Sequence, residues 1–209
     1  MDDLILLNKP MNMLSQFSSE GEKEGISKLI SAQGFRIAGR LDSDSEGLLV
    51  LTSYGRLQAY LTAPKHNTWK YYYVQVEGRI DEQAVRRLQA GVQLNDGPTL
   101  PARVKVIEPP SLWQRTPPVR YRAQIPTSWL EIGLQEGRNR QIRRMTAHVG
   151  YPTLRLVRFR SGPFRLADLG PGEYVRVPIP EDLKPYAQSS QRPRPRARDL
   201  RNSYSRQKK

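Results

Sequence analysis

The sequence predicts an α+β fold on a mostly antiparallel mixed sheet with flanking helices. Three observations carry that expectation. Strand-like segments come mostly in runs with few helical segments between them, whereas a doubly wound fold would alternate the two. No internal repeat and no long linker interrupts the chain before its last two dozen residues. Its 209 residues suit one large domain or two small ones, long enough to bury a core without covalent staples.

The elements follow in order. "LILLNKP" reads as a buried strand stopped by Lys9-Pro10. Apolar residues at Ile26, Leu29 and Ile30 predict a short helix over 25–35, closed by Gly34. Leu48–Leu51 form a short aliphatic run between Gly47 and Gly55, the mark of a buried strand. "RLQAYLTAP" is a helix ended by Pro64, and "KYYYVQVEG" a strand that is aromatic, β-branched and alternating. Asp81 caps and Gly91 stops a helix over 81–91. After the turn "NDGPTL", strands are expected over "ARVKVIE", "RYRAQI" and "TSWLEIGLQEG", with the proline-rich loop Pro109–Pro118 after the first of them. "GRNRQIRRMTAHVGYP" is the last clear helix, ended by Gly150 and Pro152, and "LRLVRFRSGPFRL" and "YVRVPI" read as closing strands.

Composition narrows the function. There is no cysteine, so disulfides, thiol nucleophiles and thiolate metal sites are excluded and a reducing cytoplasm is compatible. The two histidines, His66 and His148, lie far apart in sequence, which argues against a histidine-rich metal site. No apolar run approaches a membrane span, and no secretory signal opens the chain. The net charge is +14, and residues 187–209 carry eight Lys and Arg against one acid, Asp199. That segment has almost no aliphatic residues and reads as a basic, disordered tail on a folded unit of residues 1–186. A basic body with a basic tail points to a polyanion, of which nucleic acid is the commonest.

"GRLDSDSEGLLVLT" (39–52) places Asp42, Asp44 and Glu46 ahead of Gly47, as a calcium loop begins. Such a loop needs a bidentate acid at its twelfth position, here Ser53, and aliphatic residues fill the interval. The calcium reading fails, leaving an acidic turn that feeds a buried strand. On the last helix Ile142, Met145 and Val149 share one side, and Arg140, Arg143 and Arg144 gather opposite. The apolar stripe reads as core. The arginines are either a solvated face or a phosphate-binding one; Arg138 and Arg140 near the N-terminal end oppose the helix dipole, which favours the second. Arg143, at the edge of that face, could meet Asp42 and hold it ionised for use as a nucleophile or base.

At these residues the chain resembles the ribosomal-RNA pseudouridine synthases of the small-subunit synthase A branch. "GRLDSDSEGLL" is similar to their G-R-L-D-x-x-[ST]-x-G-L-L signature, "KYYYV" to their K-x-Y strand and "DGPTLPA" to their D-G-x-T-x-P-A loop. "LEIGLQEGRNRQIRRM" is similar to their third motif and "LLNKP" to their first, all in the family's order across about residues 4–165. Many relatives carry an N-terminal S4-type RNA-binding domain; here the first strand begins at about Leu4 and leaves no room for one.

The resemblance implies the family's catalytic fold with a central active-site cleft. The implied activity is isomerisation of a specific uridine to pseudouridine in ribosomal RNA, with the large subunit as expected target and a different RNA target as the alternative. No cofactor and no metal would be used, and the enzyme would be a cytoplasmic monomer. By motif position Asp42 is the catalytic aspartate, Tyr72 stacks on the target base, Arg143 pairs with Asp42 and Leu134 lines the pocket. Arg40, Arg138, Arg140 and Arg144 would contact phosphate or RNA. Asp42 could attack C1′, add to C6 or abstract a ribose proton, and the sequence leaves the three routes open. Asp44 and Glu46 read as turn solvation or caps, His148 as surface, His66 as loop, and Tyr71 and Tyr73 as facing the side of the sheet opposite Tyr72. Two other classes remain: a non-enzymatic RNA-binding ribosome-assembly protein, from charge and the arginine helix, and a glycosidase, from the clustered acids alone. A glycosidase needs acids on opposite sides of a sugar, and the basic surface opposes it.

Overall fold

The computed structural model describes residues 3–120 and 122–188. One nine-stranded mixed sheet organises them. Its strands are β1 (Asp3–Lys9), β2 (Arg36–Ile37), β3 (Glu46–Thr52), β4 (Lys70–Glu77), β7 (Arg103–Ile107), β8 (Thr127–Leu134), β9 (Thr153–Ser161), β10 (Phe164–Arg165) and β11 (Tyr174–Pro178). The order is β11-β1-β3-β9-β4-β8-β7, with β2 beside β3 and β10 beside β9. A separate two-stranded hairpin joins β5 (Gln93–Leu94) to β6 (Gly97–Pro98). All pairs are antiparallel except β3 with β9, so the expected α+β class with a mostly antiparallel sheet is what the chain adopts. Among the described residues three α-helices flank it: α1 (Gly55–Thr62), α2 (Glu82–Ala90) and α3 (Gln141–His148). Among the described residues no helix is long and apolar enough to cross a membrane.

Apolar side chains separate into three clusters. Val74, Val76, Leu130 and Ile132 meet α2 and α3 through Leu88, Ile142 and Met145. Ile5, Leu7, Leu49 and Leu51 pack on Met13, Ile26 and Ile30. Leu4, Leu6, Leu48 and Val50 pack with α1 through Leu57 and Leu61. Successive residues of β3 therefore enter opposite cores, and Leu48 through Leu51 are all fully buried. That explains an aliphatic run without alternation. Tyr72 touches both the first and the second cluster, so it sits at their seam.

Local signals act as the sequence indicates in several places. The Asp81 carboxylate accepts from the Ala84 N–H at 2.7 Å and Gly91 ends α2 at φ +90°. Gly47 is required by a close approach: at φ +102°, an added Cβ would lie 2.3 Å from the Arg158 carbonyl oxygen. Three expectations are corrected. The helix over 25–35 is only a 3-10 turn, Ile26–Lys28. The chain there bonds outward instead, Ile26 N–H to the Gln16 carbonyl and Leu14 N–H to the Glu24 carbonyl. "RYRAQI" is no strand among its described residues; Ile125 N–H closes a turn onto Arg122 before Pro126 leads into β8. The last helix starts at Gln141, with Arg140 as a left-handed N-cap at φ +47°, so Arg138 and Arg140 precede it. The tail expectation falls, from residue 189 onward, outside the described residues.

Candidate active site

A cleft of about 1030 Å³ opens where the first two clusters meet. Arg40, Asp42, Tyr72, Leu134, Arg138 and Arg140 all line it, whereas Arg143 and Arg144 do not. Six of the eight residues singled out in the sequence thus converge on one concavity from four separate segments. Asp42 is half-buried on the turn that precedes β3. Among the described residues its carboxylate accepts no hydrogen bond and joins no ion pair. It is an uncommitted carboxylate lining the cleft.

The turn that carries it is held by two buried cations. Arg158, 1% exposed, donates from Nε to the Leu48 carbonyl at 2.8 Å and from Nη2 to the Gly39 carbonyl at 2.7 Å, with Nη1 3.5 Å from the Arg40 carbonyl. Lys9, fully buried, donates to the carbonyls of Pro10 and Met13 at 2.8 Å and of Ser43 at 3.3 Å. Burial pushes its ammonium down to about 7, against the opposing pull of Glu46, Asp44 and Asp42. Both sides of the Asp42 turn are therefore bonded through backbone oxygens, which leaves the Asp42 side chain free.

Arg143 was expected to pair with Asp42; its ion pair is with Asp44 instead. Its Nη2 donates to the Asp44 backbone carbonyl at 2.6 Å, and its Nε lies 3.4 Å from Asp44 Oδ2, an ion pair without hydrogen-bond geometry. Arg140 takes both oxygens of the same carboxylate at 3.0 and 2.7 Å. Asp44 thus joins the two sides of the cleft. Burial raises its carboxyl, but the Arg140 hydrogen bonds and the Arg143 and Arg140 charges outweigh this and hold it below its ordinary value. Asp42 contributes to Arg143 as a nearby charge, not as a bonded partner.

The arginines expected to face RNA are already partly neutralised. Asp96, from the β5–β6 turn, bonds both Arg138 and Arg144, and hydrogen bonds from these two guanidinium groups pull it down to about 2. Arg40 is exposed and has no carboxylate partner among the described residues. Glu46 is neither cap nor turn solvation. It is buried at the start of β3, where Arg155 donates to both its oxygens at 2.9 and 3.0 Å and Trp113 Nε1 donates at 2.8 Å, fastening the proline-rich loop to the sheet.

Sequence reasoning missed Lys9, Arg158 and Asp44 as working parts of the site. For Lys9 the signal was available: a lysine at the end of a fully apolar strand has few places to put its charge. For Arg158 it was not, because strand alternation breaks nearby. Tyr72 pairs with Arg158 and Tyr71 with Arg160, leaving Phe159 as an extra residue.

The family profile described as RNA pseudouridylate synthase matches residues 3–148. "Ribosomal large subunit pseudouridine synthase E" of Vibrio parahaemolyticus is 52% identical over 176 residues, 84% of this chain and 74% of that one. The protein of the same name from Xanthomonas axonopodis is 53% identical over 171 residues, 80% of this chain and 90% of that one. Among solved structures, one described as a pseudouridylate synthase superposes with a TM-score of 0.72 at 24% identity, covering 89% of this chain and 74% of that one, which supports the fold. The chain belongs to the RNA pseudouridylate synthase family.

Proposed function

We propose that this chain isomerises one uridine of large-subunit ribosomal RNA to pseudouridine, with Asp42 as its catalytic group. The reaction breaks N1–C1′, turns the base and forms C5–C1′; the proton lost from C5 is balanced by one gained at N1. The observation that carries the reading is the uncommitted carboxylate of Asp42, in the same cleft as the Tyr72 ring. The large-subunit target is supported by relatives of that name at 52 and 53% identity, each covered over more than two thirds of its length.

The chemistry sets what the cleft has to do. A uridine within folded RNA hides its glycosidic bond and has to be everted, at a cost of roughly a few kcal/mol. Tyr72 offers the extruded base a stacking face, and Leu134 closes the apolar side. Arg40 and Arg140 attract the backbone, while Arg143 and Asp44 keep the cationic wall in register with the Asp42 turn. One chain supplies every residue of this site, so a monomer suffices, and a ribosomal substrate puts the enzyme in the cytoplasm. The catalytic unit comprises residues 1–186, and the basic segment after it adds salt-dependent affinity for RNA.

Asp42→Asn tests the proposal. Incubated with ribosomal RNA, the variant is expected to lose turnover by about 1000-fold or more while binding RNA as before. Pseudouridine formed is read by carbodiimide-dependent reverse-transcription stops. Undiminished turnover removes Asp42 from the chemistry. A wild-type chain that binds RNA and forms no pseudouridine would be an assembly factor instead.

A further inference from the structure

A second cavity, of about 250 Å³, lies beyond the segment that walls the cleft. Thr62, Pro64 and Lys70 line the cleft, whereas Leu61, His66 and Trp69 line this cavity, so residues 61–70 separate the two. Its chemistry is aromatic and cationic. Tyr60 is held by stacking on Tyr186 at 4.0 Å and tilts against His66 at 4.3 Å. Trp69 and Arg160 stand among the other lining residues, and Asp182 is the only carboxylate among them.

The β9 bulge explains why Arg160 is there. By pairing Arg158 with Tyr72 and Arg160 with Tyr71, it sends the first arginine to the cleft face and the second to the opposite face. Arg160 then lies over the Tyr71 ring at 5.3 Å. Tyr71 lies across Gly133 of β8, where an added Cβ would come within 2.7 Å of the ring. Arg103 completes the row, 4.0 Å over the Trp69 ring and donating to the Tyr71 hydroxyl at 2.6 Å. Two arginines and two aromatic rings thus form a platform at the cavity's edge.

Availability separates Arg160 from the arginines at and just before α3. Arg138, Arg140 and Arg144 are each bonded to an aspartate. Arg160 commits Nε to the Gly162 carbonyl at 2.9 Å, and its two terminal nitrogens have no acceptor among the described residues. A cation left without an anion beside half-buried aromatic rings is the chemistry of an unpaired nucleotide: aromatic rings take the base and guanidinium groups the phosphate.

We propose that this cavity binds an unpaired nucleotide flanking the target uridine in the same RNA, its base against Trp69 and His66 and its phosphate on Arg160. The proposal rests on the reading of the cleft as an RNA site. Stacking there would anchor the strand on one side of residues 61–70 while the target enters on the other. The cavity has room for one nucleotide and none for a duplex, so it favours a single-stranded approach.

The test uses the full chain with octaadenylate, which holds no uridine and so cannot react in the cleft. Titration is followed by tryptophan emission, and the same proteins are assayed for KM and kcat on ribosomal RNA. Octaadenylate is expected to quench the wild type, with the quench lost in Trp69→Leu and affinity weakened about tenfold in both Trp69→Leu and Arg160→Gln. KM for RNA should rise about tenfold in each variant while kcat holds. Should Trp69→Leu fail to fold, Arg160→Gln carries the test, because its side chain lies over a ring and holds no ion pair. Octaadenylate affinity and KM unmoved in both variants would overturn the site and leave the synthase reading standing. Trp69-dependent binding by a chain that pseudouridylates nothing would overturn that reading and keep the site.

Discussion

The turn carrying Asp42 and the segment carrying Arg138 and Arg140 face each other across one cleft and are held by opposite means. The turn is bonded from beneath by Lys9 and Arg158, both buried and both donating only to backbone carbonyls. The arginine segment is held from the side by carboxylates at the surface, Asp96 and Asp44. A buried donor bonded to carbonyls is insensitive to salt and has no competing ligand. A surface guanidinium paired with a carboxylate can exchange that partner for phosphate at little net cost. One wall is therefore fixed in geometry, and the other holds charge that can be exchanged.

The largest effect should come from the fixed wall. Arg158→Met removes a donor from the buried Leu48 carbonyl and from the partly buried Gly39 carbonyl. The expected loss is about 3 kcal/mol of stability, read by urea denaturation, with turnover falling at temperatures where the variant is still folded. A variant as stable and as active as wild type would mean that the turn holds its shape without the clamp.

Lys9 tests the same wall by pH. Its folded-state value of about 7 lies below the ordinary 10.5. Above 7 the unfolded chain binds a proton that the folded chain does not, so stability rises with pH until 10.5 is passed. Between pH 7 and 9 wild type should gain about 2 kcal/mol relative to Lys9→Met, measured as the difference between their pH profiles. Parallel profiles would show that the carbonyl cage keeps Lys9 charged throughout.

Much of this arrangement was legible in the sequence, and the failures share a cause. Leu48–Leu51 announced a doubly buried strand because four consecutive aliphatics have no polar face to offer. Asp81 and Gly91 bounded α2 because capping is local chemistry, and Asp42, Tyr72 and Leu134, singled out by motifs of fixed spacing, line one cleft. Arg158 was not found, since one bulged residue at Phe159 reverses which face β9 presents and nothing in "LRLVRFRSG" marks it. Asp44 was passed over because its partners, Arg140 and Arg143, lie 96 and 99 residues away. The strand expected at "RYRAQI" failed because alternation says nothing about whether a sheet edge is there to receive it. What local pattern encodes was readable; what long-range contact decides was not.

A smaller effect should appear where the walls join. Asp44→Asn removes the carboxylate shared by Arg140 and Arg143 and is expected to cost about 1 kcal/mol, because the group is partly exposed. Its folded-state value is below the ordinary 3.8. The stabilisation is thus present above 3.8 and is lost as pH falls through the lowered value. Apart from a change near pH 7 passed on through Lys9, whose pKa Asp44 raises, the gap between wild type and Asp44→Asn should close in acid. A gap that stays open below the lowered Asp44 value would assign the stabilisation to some other group.

The smallest effect belongs to the exchangeable wall and is visible only in binding. Asp96 is exposed, so Asp96→Asn should leave the melting temperature nearly unchanged. It frees Arg138 and Arg144 for phosphate, and each guanidinium that finds one releases about one counterion. The dependence of log affinity on log salt should therefore steepen by about 1 to 2 relative to wild type, with RNA bound more tightly at low salt. An unchanged slope would mean that Arg138 and Arg144 serve only to seat the β5–β6 hairpin. The cleft would then draw its charge from Arg40 and Arg140 alone, and the contrast between a fixed and an exchangeable wall would narrow to those two side chains.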